Sequence, residues 1–459
     1  MKRQYKLFVG FALVVTALLG FMPEWLAAAP VFLIGDTALT TDYTELMKIV
    51  FDDTVISETV YDTELMDFMP EGEVKQGPEG KWFETSQLYQ SPGSWGSRGE
   101  NGYIPEANSA KAENSRVTLK KIVGSLEETA EVLKKIKRDK AAFLTWSDEQ
   151  FPLFKEGLVD EFDRQLVGDG SAIRARVNET VVSNPVVIGS TLGISGFDHE
   201  LMQFRRGLRL RASPNVDGSA PRATAYTVEQ LDWDNNALQL DTFADLVDGD
   251  YLFEGDAADN SAGKDMMGLL GLVDDGNIVQ TLQNIDRNTH LWFRSYVRDL
   301  ASAELTEFAM IQTDRQARHR GGGKVDMIVM SDEAFDAVWE EIKTDRVVND
   351  PRAYTAGRKG ITMLFGGTRS VEFRTARKLP STLVFGLQRD VFRKFLLHEF
   401  QWDDTTGSLW RQVTDSTGRK DAFYAYGTAY GEIAIKSPQR CWRLEGFTSP
   451  AESIPAESV

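Results

Sequence analysis

Residues that could do chemistry are thinly spread along this chain. The four histidines are widely separated and form no HxxxH or HExxH pair: His199, His290, His319 and His398. The spacing that places two imidazoles on one helix face to bind zinc is therefore missing. The single cysteine, Cys441, excludes an internal disulfide and any multi-cysteine zinc site. The chain also has no GxSxG nucleophile elbow and no dinucleotide-binding glycine fingerprint. The sequence predicts no catalytic residue, no cofactor and no metal site.

Three short runs resemble ligand loops, but a structural interpretation is stronger for each. The GDG at 168–170 follows an apolar helical stripe and lacks the Lys-Ser/Thr ending of a phosphate loop, so it predicts a helix stop. In DGDYLFEGDAADN (248–260), apolar residues 251–253 stand where a calcium loop has its ligands, which favours a strand between two acidic turns. The basic ARHRGGGK (317–324) predicts the last turn of a helix, where cations complement the helix dipole.

Acidic residues outnumber basic residues by 69 to 51 in the 459-residue chain, which gives a net charge of −18. This balance argues against a dedicated nucleic-acid binder, because DNA binding depends on neutralising phosphates. It suits a soluble protein that works near nucleic acid without adhering to it. A local exception is the cluster Arg205, Arg206, Arg209 and Arg211. Arg209 and Arg211 fall on one face of a predicted strand, and we expect them to pair with carboxylates of a neighbour rather than with DNA.

Residues 1–40 have the pattern of a secretory signal. Three basic residues among the first six precede an apolar run from 7 to 22, and three alanines follow at 27–29. This is a basic head, an apolar body and small residues at a cleavage point. The alternative is that translation starts at Met22. Outside this leader, no stretch approaches the ~18 apolar residues needed to cross a bilayer, so we expect no membrane segment in the mature form.

A glycine-punctuated stretch from 72 to 124 follows an N-terminal arm at 41–71. Strand-like pieces, KWFETSQL and RVTLKKIV, lie towards its two ends, so it predicts a long two-stranded loop. Its length exceeds that of an ordinary connection. It contains five aromatic residues: Trp82, Phe83, Tyr89, Trp95 and Tyr103. A two-stranded projection cannot bury all of them against itself, so we expect a partner surface.

The remainder of the chain mixes helices and strands. Apolar residues at 151, 154, 158, 162 and 166 form one stripe of an amphipathic helix. The pattern looks helical from Ser125 onward, although 120–129 can instead continue the arm as strand. Further along, the pattern predicts a series of strands at 176–294, a second long helix at 295–323 and mixed elements at 324–400, which include a helix capped by Ser331. It then predicts two hairpins at 401–447, around 405–407 and around 415–418, and a polar tail at 448–459. The fold class predicted is α+β.

Several longer segments together resemble one known family. They are GSRGENGYIPEA (96–107), KKIVGSLEETAEVL (120–133), KAAFLTWSDEQFPLFKEGLVDEFDRQLVGDGS (140–171), GLLGLVDD (268–275) and NIDRNTHLWFRS (284–295). Their order is similar to that of the major capsid proteins of tailed bacteriophages, which share the Hong Kong phage capsid fold with encapsulins. The resemblance runs from about Thr41 to Phe447, and the order of many weak motifs carries it. The leader departs from the family, because capsid proteins assemble in the cytoplasm.

The resemblance implies how the chain is divided. It implies an N-terminal arm at 41–71, an extended loop at 72–124, a spine helix and peripheral domain at 125–175, a β-rich peripheral region at 176–294, a second long helix at 295–323, an axial domain at 324–400, C-terminal hairpins returning to the peripheral domain at 401–447, and a disordered tail. The function implied is structural, without enzymatic activity. Copies of the subunit would self-assemble into hexamers and pentamers of an icosahedral phage head that encloses double-stranded DNA without sequence-specific binding. The partners implied are other copies of this chain, a separate scaffolding protein, a portal and a decoration protein.

The residues expected at contacts between subunits belong to the extended loop: Trp82, Phe83, Trp95, Arg98 and Glu100. In some relatives a lysine at the tip of this loop forms a covalent bond with a neighbour. Here the tip at 94–102 carries Arg98 and no lysine, so we expect no such cross-link. The alternative function is an exported β-rich surface or carbohydrate-binding protein, which the leader and the exposed aromatic residues would suit.

Overall fold

The computed structural model describes residues 65, 68–72, 82–90, 92–100, 102–103, 106, 108–131, 140–189, 200–256, 259–345, 362–365, 369–403, 411–415 and 418–448. The chain divides into two compact units, one of 1–56, 125–150 and 402–427, the other of 57–124, 151–401 and 428–459. The leader, most of the N-terminal arm, the hairpin predicted around 405–407 and the tail from 449 lie outside the described residues. None of the described helices is long and apolar enough to cross a bilayer.

The extended loop contains the antiparallel ribbon that the sequence predicts. Its strands are β1 (Trp82–Gln90) and β2 (Lys111–Thr118). Phe83 lies opposite Val117, and Leu88 lies opposite Ala112. Because successive side chains of a strand point to opposite faces, Phe83 and Leu88 belong to different faces of the ribbon. The first is buried and the second is exposed, so one face of the ribbon packs on the protein.

The long helix α1 (Lys140–Val167) contains the predicted apolar stripe. Leu158, Phe162 and Leu166 are buried, as their spacing of four residues requires. The helix begins well before Pro152, so this proline lies inside the helix and not at its first turn. The helix ends at Val167, and the GDG that follows is a helix stop, as predicted.

Six strands after α1 close into a barrel in the order β4-β5-β8-β7-β6-β9. They are β4 (Ile173–Val177), β5 (Val186–Gly189), β6 (Arg209–Ser213), β7 (Ala225–Asp232), β8 (Ala237–Leu240) and β9 (Tyr251–Glu254). The acidic run at 248–260 therefore holds a strand, as predicted. The interior of the barrel is apolar and includes Leu210, Tyr226 and Leu252, each fully buried. A barrel has no open edge, so this region forms a core of its own.

A six-stranded sheet and two helices form a second core. The strands have the order β12-β20-β16-β13-β15-β14. They are β12 (Tyr296–Asp299), β13 (Met327–Met330), β14 (Thr362–Phe365), β15 (Arg369–Thr375), β16 (Val384–Leu387) and β20 (Trp442–Glu445). Met310 of α3 (Glu307–Gly321) and Phe335 of α4 (Asp332–Asp345) share one buried cluster with Ile328 and Trp442 of the sheet. The Ser331 hydroxyl accepts from the Ala334 amide at 3.1 Å, so Ser331 caps α4 as predicted.

The second long helix is shorter than the sequence predicts. Residues 296–299 are strand β12, paired in parallel with β20, and α3 begins only at Glu307. Ala301 and Ser302 adopt left-handed backbone conformations, with φ of 50° and 65°, which no α-helix accommodates. Thr306 then caps α3, because its side chain accepts from the Ala309 amide at 3.2 Å. The apolar residues Tyr296 and Val297 therefore belong to a strand of the sheet and not to the helix.

The remaining long strands lie in another sheet. They are β3 (Lys120–Thr129), β17 (Phe392–Trp402), β18 (Arg411–Asp415) and β19 (Gly418–Ile435), in the order β17-β19-β18 with β3 also paired to β19. Asp415 pairs with Gly418, which confirms the hairpin predicted there. The helix predicted from Ser125 is wrong for 125–129, which are strand. Hydrogen bonds to the distant β19 outweigh the local helical pattern.

Short elements complete the described fold. They are α2 (Leu269–Leu272), β10 (Thr281–Leu282), β11 (Ile285–Asp286) and 3-10 turns at Glu200–Gln203, Leu291–Phe293, Arg389–Val391 and Pro438–Arg440.

Candidate interaction site

The base of the β1–β2 ribbon is anchored in the core of its own chain. The Phe83 ring stacks on Phe395 of β17, with centroids 5.1 Å apart and planes 18° apart. Val117 of β2 and Ala434 of β19 complete this buried cluster. Phe83 was expected at a contact between subunits, but its ring is already covered within the chain. This residue therefore holds the ribbon in place.

Polar groups reinforce the same attachment. Gln87 is buried, and its side-chain amide donates to the carbonyl of Ile435 at 3.3 Å. The amide of Arg116 donates to the carbonyl of Gln283 at 2.9 Å. Nearer the tip, the ring of Tyr89 stacks on Trp292, with centroids 5.1 Å apart. These contacts fix where the ribbon leaves the protein.

The far part of the ribbon exposes large apolar side chains. Leu88 is 74% exposed, Trp95 is 89% exposed and Tyr103 is 93% exposed. The backbone there is not loose, because the Gly93 amide donates to the carbonyl of Asn108 at 2.9 Å. Isolated exposed apolar residues are ordinary on protein surfaces, but these three belong to one two-stranded segment. We call residues 88–103 the ribbon tip.

The charged residues predicted for the tip have different environments. The Arg98 guanidinium donates from Nε to the carbonyl of Tyr103 at 3.0 Å and from Nη1 to the carbonyl of Ser97 at 3.2 Å. Arg98 thus shapes the turn, while its side chain stays exposed. Glu100 is exposed and forms no hydrogen bond within the described part of the chain. The Trp82 backbone pairs with Thr118 at the ribbon base, but its side chain lies outside what the structure describes.

Sequence reasoning missed a buried network of charges on α1. Arg164 is buried, and its Nη2 lies 2.5 Å from the carboxylates of both Glu161 and Asp265. Arg174 of β4 also pairs with Glu161, at 2.8 Å, and with Glu254 of β9. Burial alone would raise the pKa of Glu161, but Arg174 and Arg164 outweigh it and lower that pKa well below its usual value. The carboxylate stays ionised and joins the helix to the barrel.

A second buried network explains two segments that carry the family resemblance. Arg287 is fully buried and donates to the carbonyls of Gly271 at 2.9 Å and Leu272 at 2.7 Å. Its Nη1 lies 3.5 Å from Asp274, which also pairs with Arg443 of β20 at 3.3 Å. GLLGLVDD and NIDRNTHLWFRS thus form one folded unit closed by β20. The only sequence signal for this pairing is that the first segment ends in two aspartates and the second contains arginines.

Glu432 of β19 is a buried carboxyl held by backbone amides. Its Oε1 accepts from the amides of Met267 at 2.7 Å and Ile433 at 3.1 Å. Burial raises the pKa of Glu432 to about 7. Two backbone donors hold the group rigidly against the chain. The Glu432 carboxyl thus ties β19 to the segment before α2.

The basic segments considered as ligand sites are accounted for locally. Arg318 pairs with Asp314 at 2.6 Å, and the guanidinium of Arg320 lies 4.4 Å from the ring centroid of Tyr296. Gly322 ends α3 in the left-handed conformation, with φ of 67°. The run at 317–324 is a helix end, as predicted. On β6, Arg209 is exposed while Arg211 is buried, so the two do not form one accessible face.

The described residues contain no group of three or more side chains that could hold a metal ion. The buried charges of Arg164, Arg174 and Arg287 are engaged in ion pairs or backbone hydrogen bonds. The ribbon tip, with Leu88, Trp95 and Tyr103 exposed, is the candidate interaction surface.

A scan against protein-family models and a search of curated proteins each find no match for the chain. Among solved structures the chain is similar to the capsid asymmetric unit of cyanophage A-1(L), with 11% identity, a TM-score of 0.43, and coverage of 86% of this chain and 94% of that one. It is also similar to the capsid of myovirus phage XM1, with 7% identity, a TM-score of 0.37, and coverage of 84% and 91%. A virus-like particle from Pyrococcus furiosus gives 8% identity, a TM-score of 0.34, and coverage of 88% and 99%. These neighbours are capsid or particle structures.

Proposed function

We propose that this chain is the major capsid subunit of a tailed bacteriophage, a structural protein without enzymatic activity. Copies assemble into the hexamers and pentamers of an icosahedral head that encloses double-stranded DNA. The observation that carries the proposal is the ribbon tip, which leaves Leu88, Trp95 and Tyr103 exposed on a backbone anchored at its base. An isolated two-stranded ribbon is marginal in water, so a neighbouring copy that covers the tip completes the structure.

The other parts of the chain take family roles under this proposal. Helix α1 is the spine helix. Helix α3 is the second long helix, and α4 lies in the axial domain at 324–400. The net charge of −18 keeps the inner surface from adhering to packaged DNA. A separate scaffolding protein, a portal and a decoration protein act as partners, and assembly takes place in the host cytoplasm before the subunit resides in the virion.

Electron microscopy tests the proposal directly. The protein is expressed from Met22, with and without a helical, charged protein encoded next to it as scaffold, and purified particles are imaged in negative stain. Closed shells or ring-shaped capsomers are expected. Dispersed monomers that bind glycans on an array would contradict the proposal and support the exported carbohydrate-binding alternative. A Trp95→Phe variant is the matched control, since it keeps an aromatic ring at the tip and should still assemble.

A further inference from the structure

Residues 271–295, which we call the bracket, fold as one unit beside the ribbon. The bracket contains the hairpin of β10 and β11 and the 3-10 turn Leu291–Phe293. Arg287 follows the hairpin directly, and its buried guanidinium donates to the carbonyl of Val279, ahead of the hairpin, at 3.1 Å. The buried Asp274 carboxylate accepts from the Val279 amide, also at 3.1 Å. The hairpin is therefore held at its base by buried polar contacts.

The turn of this hairpin carries a glutamine in a backbone conformation that favours other residues. Leu282 pairs with Ile285, so Gln283 and Asn284 form a two-residue turn, with φ of 51° and 66°. Positive φ at both positions defines the type I′ turn, in which glycine, asparagine and aspartate are preferred. A glutamine held in this region carries backbone strain that the surrounding contacts must outweigh. The side chain of Gln283 provides such contacts.

Gln283 ties the hairpin to two other elements. Its backbone carbonyl accepts from the Arg116 amide of β2 at 2.9 Å. Its side-chain nitrogen donates to the Ser115 hydroxyl at 2.7 Å and to the carbonyl of Ile435 at 3.1 Å, and its side-chain oxygen accepts from the Ile435 amide at 2.7 Å. This orientation of the amide satisfies both its oxygen and its nitrogen. Gln283 thus joins the bracket, the ribbon and β19 at one point.

A second contact between the bracket and the ribbon lies nearer the tip. The Trp292 ring stacks on Tyr89 of β1, with planes 11° apart, and the neighbouring Phe293 is fully buried. Ser115, at the first contact, lies opposite Thr85 in the ribbon. Tyr89 is four residues beyond Thr85, which is about 13 Å along a strand. One contact would fix only where the ribbon crosses the bracket, whereas two contacts this far apart fix its direction.

We propose that the bracket sets the direction in which the ribbon tip leaves the protein, with Gln283 and Trp292 as its positioning residues. The inference rests on the proposed function and deepens it, because the tip meets a second copy only when it points the right way. A tip free to swing would occupy the fitting direction only part of the time, and the apparent affinity between copies falls by that fraction. The left-handed glutamine is explained by its contacts with the ribbon and not by the turn itself.

Matched substitutions separate the contacts of the bracket from the geometry of its turn. Gln283→Gly relieves the positive φ and removes the side-chain link to the ribbon and β19. The control Asn284→Gly relieves φ in the same turn, but Asn284 is exposed and forms no side-chain hydrogen bond within the described part of the chain. If only turn geometry mattered, both glycine variants would behave alike. Trp292→Ala removes the second contact, and the control Trp292→Phe keeps an aromatic ring against Tyr89.

The direction of the tip is measured in the unassembled full-length subunit from the distance between two spin labels. Cys441 is buried, so the labels attach at Glu100→Cys on the tip and Gln316→Cys on α3, both exposed positions. The unaltered chain and the two control variants should give one narrow distance distribution. Gln283→Gly and Trp292→Ala should each broaden this distribution, and the combined variant should broaden it most. A narrow distribution in the combined variant would overturn the inference.

Shell assembly reports the functional consequence. If the fitting direction is occupied about one tenth of the time, the combined variant should need about tenfold more protein to assemble than the unaltered chain. Trp292→Ala alone carries both measurements if the combined variant does not fold. A broad distribution with normal assembly would overturn the claim that the direction of the tip matters. A lack of shells from the unaltered chain would refute the capsid function alone, because the distance measurement needs no shell.

Discussion

Phe83 and Trp95 lie on the same ribbon in opposite environments: Phe83 is 2% exposed and Trp95 is 89% exposed. The Phe83 ring stacks on Phe395, whereas Trp95 stands at the tip. The ribbon therefore has an anchoring part and a free part, and substitutions in the two parts should have different consequences.

Replacing the anchor should damage folding. Phe83→Ala removes a buried ring from the cluster with Phe395 and Val117, and such truncations cost about 3–5 kcal/mol. Urea denaturation of the unassembled subunit should show this loss in the free energy of unfolding. Phe83→Leu is the control, because it keeps much of the apolar volume and should cost less than half as much. An unchanged midpoint for Phe83→Ala would show that the stack does not hold the ribbon.

Much of the fold follows from local patterns. Spacing of four apolar residues predicts α1, and glycine after Val167 predicts its end. Alternating apolar residues and turn signals predict the strands that form the barrel. The exposed tip also follows from the sequence, because so many aromatic residues cannot be buried in a ribbon.

Non-local contacts account for what the sequence does not predict. Residues 296–299 join a sheet through β20, which lies far along the chain, so no local pattern marks them as a strand. Arg164 and Arg287 are buried because carboxylates and carbonyls from distant segments surround them. Charged residues are normally expected on the surface. Phe83 was assigned to a neighbour because the sequence does not identify Phe395 as its partner.

The Asp274 network should be essential for folding. Asp274→Asn keeps the shape but leaves Arg287 without its carboxylate in a fully buried position, and losing one partner of a buried pair costs about 3–5 kcal/mol. We expect mainly insoluble protein, or a fall of that size in the free energy of unfolding. Asp275→Asn, which neutralises the partly exposed neighbouring carboxylate, is the control and should change stability little. Equal stability of the two variants would refute a central role for the network.

Glu432 should make stability depend on pH. Its folded-state pKa is raised from 4.5 to about 7, so its contribution is fully present below pH 4.5 and is lost as pH rises through 7. The loss at pH 8 is on the order of 3 kcal/mol. Glu432→Gln keeps an acceptor for the Met267 amide and removes the titration, so the variant should be the more stable protein at pH 8.

The comparison for Glu432 is made by urea denaturation at pH 5 and pH 8. The advantage of Glu432→Gln should shrink at the lower pH. Glu304→Gln, at an exposed position, should follow the unaltered chain at both values. A variant advantage that is the same at pH 5 and pH 8 would show that the Glu432 carboxyl does not titrate in this range.

The contact between neighbouring copies is tested most directly at Trp95. Trp95→Ala is compared with Trp95→Phe and the unaltered chain for two quantities: the melting temperature of the unassembled subunit, and the fraction of protein sedimenting as shells. A tryptophan buried at a contact between proteins can contribute about 2–4 kcal/mol to the binding free energy. In the Trp95→Ala variant every copy in the shell loses this contribution. Shells should disappear for Trp95→Ala while its melting temperature stays within a degree or two of the original, and Trp95→Phe should retain assembly. Normal shell yield from Trp95→Ala would contradict the claim that the ribbon tip joins neighbouring copies.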